Sequence, residues 1–182
     1  EDILTSQQAS GDDANLLATL DWIDATCPNE EFPFRNRAAP LKAGLYTLDL
    51  RAVLAQARSR PADAVAAWQH MIERFPDESL DGDAVRAIAT QRIADAITAH
   101  GPAVYDQFEA EARALHATAR RDNDVAALQL LVDRYPNSSD RVAYRLDLGR
   151  AQLERGDSAS VFQTVFPLVQ EIAATPAHCD AL

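Results

Sequence analysis

The chain has 182 residues, 47% apolar and 25% charged, an ordinary balance for a globular protein. A single domain of that length buries roughly 70% of its unfolded surface. The net charge is −11 and the basic residues, nearly all arginine, are spread thinly, which argues against a phosphate-neutralising face for nucleic acid or an anionic membrane surface. No apolar run approaches the ~20 residues needed to span a bilayer.

Alanine makes up about a fifth of the chain and there are only 6 glycines, which favours helix. Residues 1–12 read as a polar linker. Asp13 is placed to cap a first helix through about Thr26, with Leu16, Leu17, Leu20 and Ile23 at helical spacing. Pro28 ends it, and the proline-rich stretch to Pro40 reads as a loop. Pro40 suits the first turn of a second helix reaching about Ser59, with Leu45, Leu48, Ala52 and Ala55 on its inner face. Pro61 opens a third helix, which ends at Phe75 before Pro76. Ser79 or Asp81 then caps a fourth, running to His100 and stopped by Gly101–Pro102. A fifth is expected over Ala103–Arg121, a turn at Asp122–Asn123–Asp124, and a sixth over Val125–Tyr135. Ser138 or Ser139 caps a seventh, which reaches Arg155. An eighth starts near Ser158, with a kink or fresh start at Pro167. The domain expected is therefore 13–174, all helical and without strands, followed by a loose tail over 175–182.

Two stretches repeat. Val65, Ala67, Trp68, Met71, Ile72, Arg74, Phe75 and Pro76 align with Val125, Ala127, Leu128, Leu131, Val132, Arg134, Tyr135 and Pro136, and Ser79 aligns with Ser139. The apolar positions form one stripe of a helix, and each copy ends in aromatic-proline followed by a serine. A hairpin with such a stripe cannot bury it alone, whereas stacked copies build a continuous core.

Leu148–Gly149, Leu153 and Gly156–Asp157, followed by Val161, Val165 and Leu168, resemble the first and second helices of a tetratricopeptide-like repeat. Ile93–Ala94, Ile97 and Gly101 take the same relative places earlier in the chain, and Ala64, Trp68 and Met71 resemble second-helix positions. The resemblance implies a right-handed α-solenoid of about eight helices stacked as antiparallel hairpins, with Gly149 allowing close approach of the partner helix. The first-helix aromatics of the family are missing and residues near 80–84 look inserted, so the implied array is degenerate. The run from Val65 to Asp157 is also similar to helical segments of large bacterial envelope proteins that carry β-propeller repeats. That likeness implies one domain of a longer protein in the periplasm or cell envelope. A start at Glu1 in place of methionine reads as a fragment, a processed form or a trimmed chain.

Few residues suggest chemistry. His70, His100, His116 and His178 form no metal-ligand spacing, and Cys27 and Cys179 lack CxxC spacing. The two cysteines read as free thiols, with an intrachain bridge as the alternative. The acidic stretch Asp77–Asp83 departs from a calcium loop in spacing and has no closing glutamate, so it reads as an interhelix loop. Glu109 and Glu111 do not share a helix face. Trp22 and Trp68 read as core. No catalytic, cofactor-binding or metal-binding residue is nominated. The expected function is a non-catalytic interaction or scaffold module that takes a protein or peptide in a helical groove. The alternatives are a spacer within a larger protein and a helical enzyme whose site assembles from distant residues.

Overall fold

The computed structural model describes Ser6, residues 12–34 and residues 37–173. The expected linker over 1–12 (apart from Ser6 and Asp12), the tail over 175–182 and the residues His178 and Cys179 lie outside them. The protein is all-α in class: among the described residues eight α-helices carry the structure, with two very short β-hairpins between them. The chain divides into two compact units, Glu1–Tyr105 and Asp106–Leu182.

In the first unit α1 spans Asp13–Thr26, α2 Ala43–Ala57, α3 Pro61–Arg74 and α4 Val85–His100, and a 3-10 turn covers Pro102–Tyr105. Each helix packs on its neighbour in sequence, α1 on α2, α2 on α3 and α3 on α4. Asp12, rather than the expected Asp13, caps α1, because its carboxylate accepts the amide of Asn15 at 3.2 Å. The inner residues of α2 are buried as their spacing predicts, from Leu45 and Leu48 to Ala52 and Ala55. Pro61 occupies the first turn of α3, where its missing N–H costs nothing.

In the first unit the starts of α2 and α4 differ from expectation, and both differences come from strands. β1 (Glu31–Phe32) pairs antiparallel with β2 (Leu41–Lys42), so α2 begins after Lys42 and not at Pro40. β3 (Ser79–Leu80) pairs with β4 (Asp83–Ala84) around Asp81 and Gly82, both at positive φ. A two-residue Asp-Gly loop with both residues in that region is the turn that matches strand twist. Ser79 and Asp81 therefore belong to a hairpin, and α4 starts behind Ala84 with no side-chain cap.

In the second unit α5 spans Asp106–Arg121, α6 Val125–Arg134, α7 Arg141–Glu154 and α8 Ser158–Ala173. Again α5 packs on α6, α6 on α7 and α7 on α8. Residues 103–105, expected within the fifth helix, belong to the 3-10 turn of the first unit instead. Asp124 caps α6 through two backbone amides, at 3.0 and 3.1 Å. Ala119, Leu128, Leu148 and Ala151 form a buried cluster, with Val125, Ala127 and Val132 against it. A Cβ on Gly149 would lie 3.0 Å from a methyl of Val165, so the small residue does permit close approach of α7 and α8. α8 continues through Pro167 without a fresh start. The helix α7 begins behind Asp140, later than a cap at Ser138 or Ser139 would put it.

The two aligned stretches adopt the same local structure. The Phe75 amide donates to Met71 O at 2.9 Å, and the Tyr135 amide to Leu131 O at 3.0 Å. Each ring lies near the guanidinium that precedes it, Arg74 at 5.1 Å from the Phe75 centroid and Arg134 at 6.0 Å from the Tyr135 centroid. A turn follows each proline, closed by the amides of Glu78 and Ser138. Beyond it the copies diverge: the first inserts the β3–β4 hairpin and the second goes directly into α7.

Two predictions test these packings. A Cβ on Gly44 would collide with the Asp24 carboxylate, and Asp24 is held by Arg74 at 2.8 Å. Gly44→Ala should therefore destabilise the protein by about 1 kcal/mol or more despite alanine's better helix propensity. In an Asp24→Ala background the same substitution should stabilise, as read from denaturant midpoints. At α8, hydrogen bonds from Ser160 hold the Asp157 carboxyl below the usual carboxylate range. A lowered folded pKa gives stability that is present above the unfolded value and is lost as pH falls through the folded one. Exchange of the Ser160 amide, referred to intrinsic rates, should therefore accelerate in that acid window, and Asp157→Asn should abolish the pH dependence.

Candidate functional site

The first unit contains an open cleft of about 560 Å³. Gln56 comes from the last turn of α2, Ser59 and Arg60 from the α2–α3 turn, and Pro61, Ala64 and Trp68 from α3. Arg92, Asp95, Ala96, Ala99 and His100 come from α4. The three-residue turn after α2 brings α2 and α3 side by side, and Ser59 at φ 55° makes the reversal. Ala64, Ala96 and Ala99 leave space because their side chains are short. Pockets of 300–1,000 Å³ with apolar walls and a few polar groups suit small ligands or the side chains of a partner.

The cleft's wall is fixed by a buried ion cluster. Asp49 of α2 is 2% exposed. Its carboxylate pairs with Arg37 from the β1–β2 loop and, at 2.9 Å, with Arg92 from α4. Arg37 also pairs with Asp81 at the tip of the second hairpin. Its guanidinium lies 5.7 Å from the centroid of Tyr46, which stacks on Phe34 at 4.0 Å. A buried carboxylate is tolerable only with such partners, and the planar fork of arginine serves two acids at once.

Charge across the lining is nearly balanced. Arg60 is paired with Asp63, Arg92 with Asp49, and Asp95 accepts the Gln91 amide at 2.8 Å. The floor is different. Trp68 is 2% exposed, and its Nε1–H is buried with no hydrogen-bond partner among the described residues. Leaving a buried donor unmade costs about 1–3 kcal/mol. The neighbouring Gln69 meets its needs, since it accepts from the Tyr105 hydroxyl at 2.9 Å.

The second unit holds polar clusters of another kind. Ser138 is fully buried, donates to Glu109 at 2.8 Å, and accepts from the Asp140 amide at 3.2 Å. Glu109 also takes the Ser139 amide at 2.6 Å. Burial raises the pKa of the adjoining Tyr144 phenol, with the Ser138 hydrogen bond acting against it. These bonds tie α5 to the α6–α7 turn. His116 meets Asp147 at 2.9 Å and tilts against the Tyr144 ring.

Residues singled out in the sequence are dispersed. His70 pairs with Glu73 at 3.2 Å, His116 stands in the second unit, and His100 borders the cleft. Glu109 and Glu111 serve different partners, Ser138 and Tyr135. Of the stretch Asp77–Asp83, residues 79–83 belong to the second hairpin, with Asp81 engaged by Arg37. Among the described residues no three potential ligands gather for a metal, and no helix is long and apolar enough to cross a membrane. Cys27 is a half-buried free thiol. Trp68 is core as expected, but Trp22 is 66% exposed. No family model, curated protein or solved structure matches the chain.

The ion cluster yields a prediction. Asp49→Ala leaves two guanidinium groups without their shared acid and should lower stability by about 3 kcal/mol, measured by urea unfolding. Arg37→Lys should lose a large part of the same amount, because an ammonium cannot span Asp49 and Asp81.

Proposed function

We propose that this protein is a non-catalytic interaction or scaffold module of tetratricopeptide-like, degenerate solenoid type, and that the cleft of the first unit receives a segment of a protein partner. The observation that carries the reading is the cleft itself, framed by three consecutive helices, α2, α3 and α4, with short side chains on its walls. Further support comes from the recurrence of one helix-aromatic-proline-turn structure in both units. The close approach of α7 and α8 at Gly149 is also what stacked hairpins need.

One observation favours a second reading, a spacer that positions a neighbouring domain. Phe162, Phe166 and Val169 form an exposed stripe on α8, 64%, 45% and 56% accessible. Residues 158–170 carry no charge although the chain is strongly acidic. A surface of that kind suits contact with another folded element.

Display of random peptides against the intact protein separates the readings. Selected peptides should bind at least about tenfold more weakly to Ala96→Trp, which places a large side chain in the cleft. Unchanged binding to that variant, or failure to select any peptide, would move the weight to the spacer.

A further inference from the structure

A second groove of about 360 Å³ lies on the first unit, bounded by α1, α2 and α3. That volume falls within the range of small-ligand pockets. Leu48, Arg51, Leu54 and Arg58 follow one another at three- and four-residue intervals, so they share one face of α2 and the turn that ends it. From Leu48 to Arg58 the chain rises roughly 15 Å. Leu17 of α1 and the short Ala66 and Ala67 of α3 complete an apolar floor.

Charge here runs against the rest of the molecule. The chain carries −11, yet Arg51, Arg58 and Arg60 line the groove against a single carboxylate, Asp63. Arg51 reaches Asp21 of α1 at 2.8 Å, and Arg60 pairs with Asp63. His70, at the far end, faces Glu73. Arg58 is exposed, and its guanidinium has no partner among the described residues. Arginines at other clefts already face an acid, Arg92 that of Asp49 and both Arg120 and Arg150 that of Asp147. One unmet cation therefore stands at one end of an apolar floor.

We propose that this groove binds a free aliphatic carboxylate, whose two oxygens accept hydrogen bonds from Arg58 and whose chain lies along Leu54, Leu48 and Leu17. The planar guanidinium matches a carboxylate in a two-bond pair, and a long exposed side chain can swing to meet it. A single anionic head with an apolar tail satisfies both ends of the groove. A protein segment would instead lay backbone polar groups against leucine and alanine, where they find no partner. The proposal is independent of the reading of the cleft between α2, α3 and α4, with which this groove shares Arg60.

Octanoate is the probe, with octanol, octylamine and acetate as comparisons. The intact protein, labelled on its leucine methyl groups, is titrated and followed by carbon–proton correlation spectra. Octanoate should shift the methyls of Leu17, Leu48 and Leu54 saturably, with an affinity at these methyls at least about tenfold above each comparison. Arg58→Gln changes an exposed side chain and should weaken octanoate by about tenfold or more while leaving the octanol response as it was. Added salt should weaken octanoate and spare octanol. Absence of a saturable shift at these leucines, or octanoate binding that Arg58→Gln leaves unchanged, would overturn the site. Equal affinity for octanol or octylamine would remove the arginine's part, and equal affinity for acetate would remove the floor's; either overturns it too. Tighter binding of the capped tripeptide N-acetyl-leucyl-glutamyl-leucinamide at the same methyls would give the groove to an acidic protein segment and overturn the free acid.

Discussion

The first unit depends on one buried carboxylate. Asp49 sits on the inner face of α2, among apolar neighbours such as Leu45, Leu48 and Ala52. Burying a carboxylate there is costly unless it is paired and hydrogen-bonded. Arg37 and Arg92 reach it from two different elements, so meeting one charge fastens the β1–β2 loop and α4 onto α2. Arg37 extends the fastening to the β3–β4 turn through Asp81. Lys42 and Glu78 add a half-buried pair at 2.6 Å between β2 and the turn after α3. Ion pairs thus tie both irregular segments to the helices, beside the buried Phe34, Leu41 and Leu80.

The same ion pairs reach the cleft. Arg92 lines the cleft and is anchored from behind by Asp49. Trp68 fills the space between helices but finds no acceptor for its N–H. A core that pairs Tyr105 with Gln69, and Thr47 with the Ala43 carbonyl at 2.8 Å, leaves little that is unsatisfied by accident. The second unit follows a different plan. Polar groups meet around Ser138, and an apolar stripe on α8 is exposed.

Much of the helical framework was legible in the sequence. Pro61, Pro76, Gly101–Pro102 and Gly156 mark helix ends because proline removes a donor and glycine takes positive φ. The apolar spacing named the buried faces of α2, α3 and α6. The repeat was legible too, and the matching hydrogen bonds behind Phe75 and Tyr135 account for it. Asp81–Gly82 signals the turn of the β3–β4 hairpin, but the acidic residues around it suit an interhelix loop as well, and strands of two residues carry no alternating pattern. Asp12 and Asp13 are equivalent as caps on paper, and only the backbone decides between them. Trp22 shows that an aromatic on an amphipathic helix is not thereby core. The Arg37–Asp49–Arg92 cluster and the empty bond on Trp68 could not be read at all. They join residues brought together by tertiary packing, and no local spacing encodes them.

The central claim is that a partner segment enters between α2, α3 and α4. Hydrogen–deuterium exchange on the intact protein, with and without a bound peptide, tests it most directly. Slowed exchange should be confined to the end of α2, the first half of α3 and the second half of α4. Protection along α8 around Phe162 and Phe166, with the cleft unaffected, would contradict the account and place the working surface on the second unit.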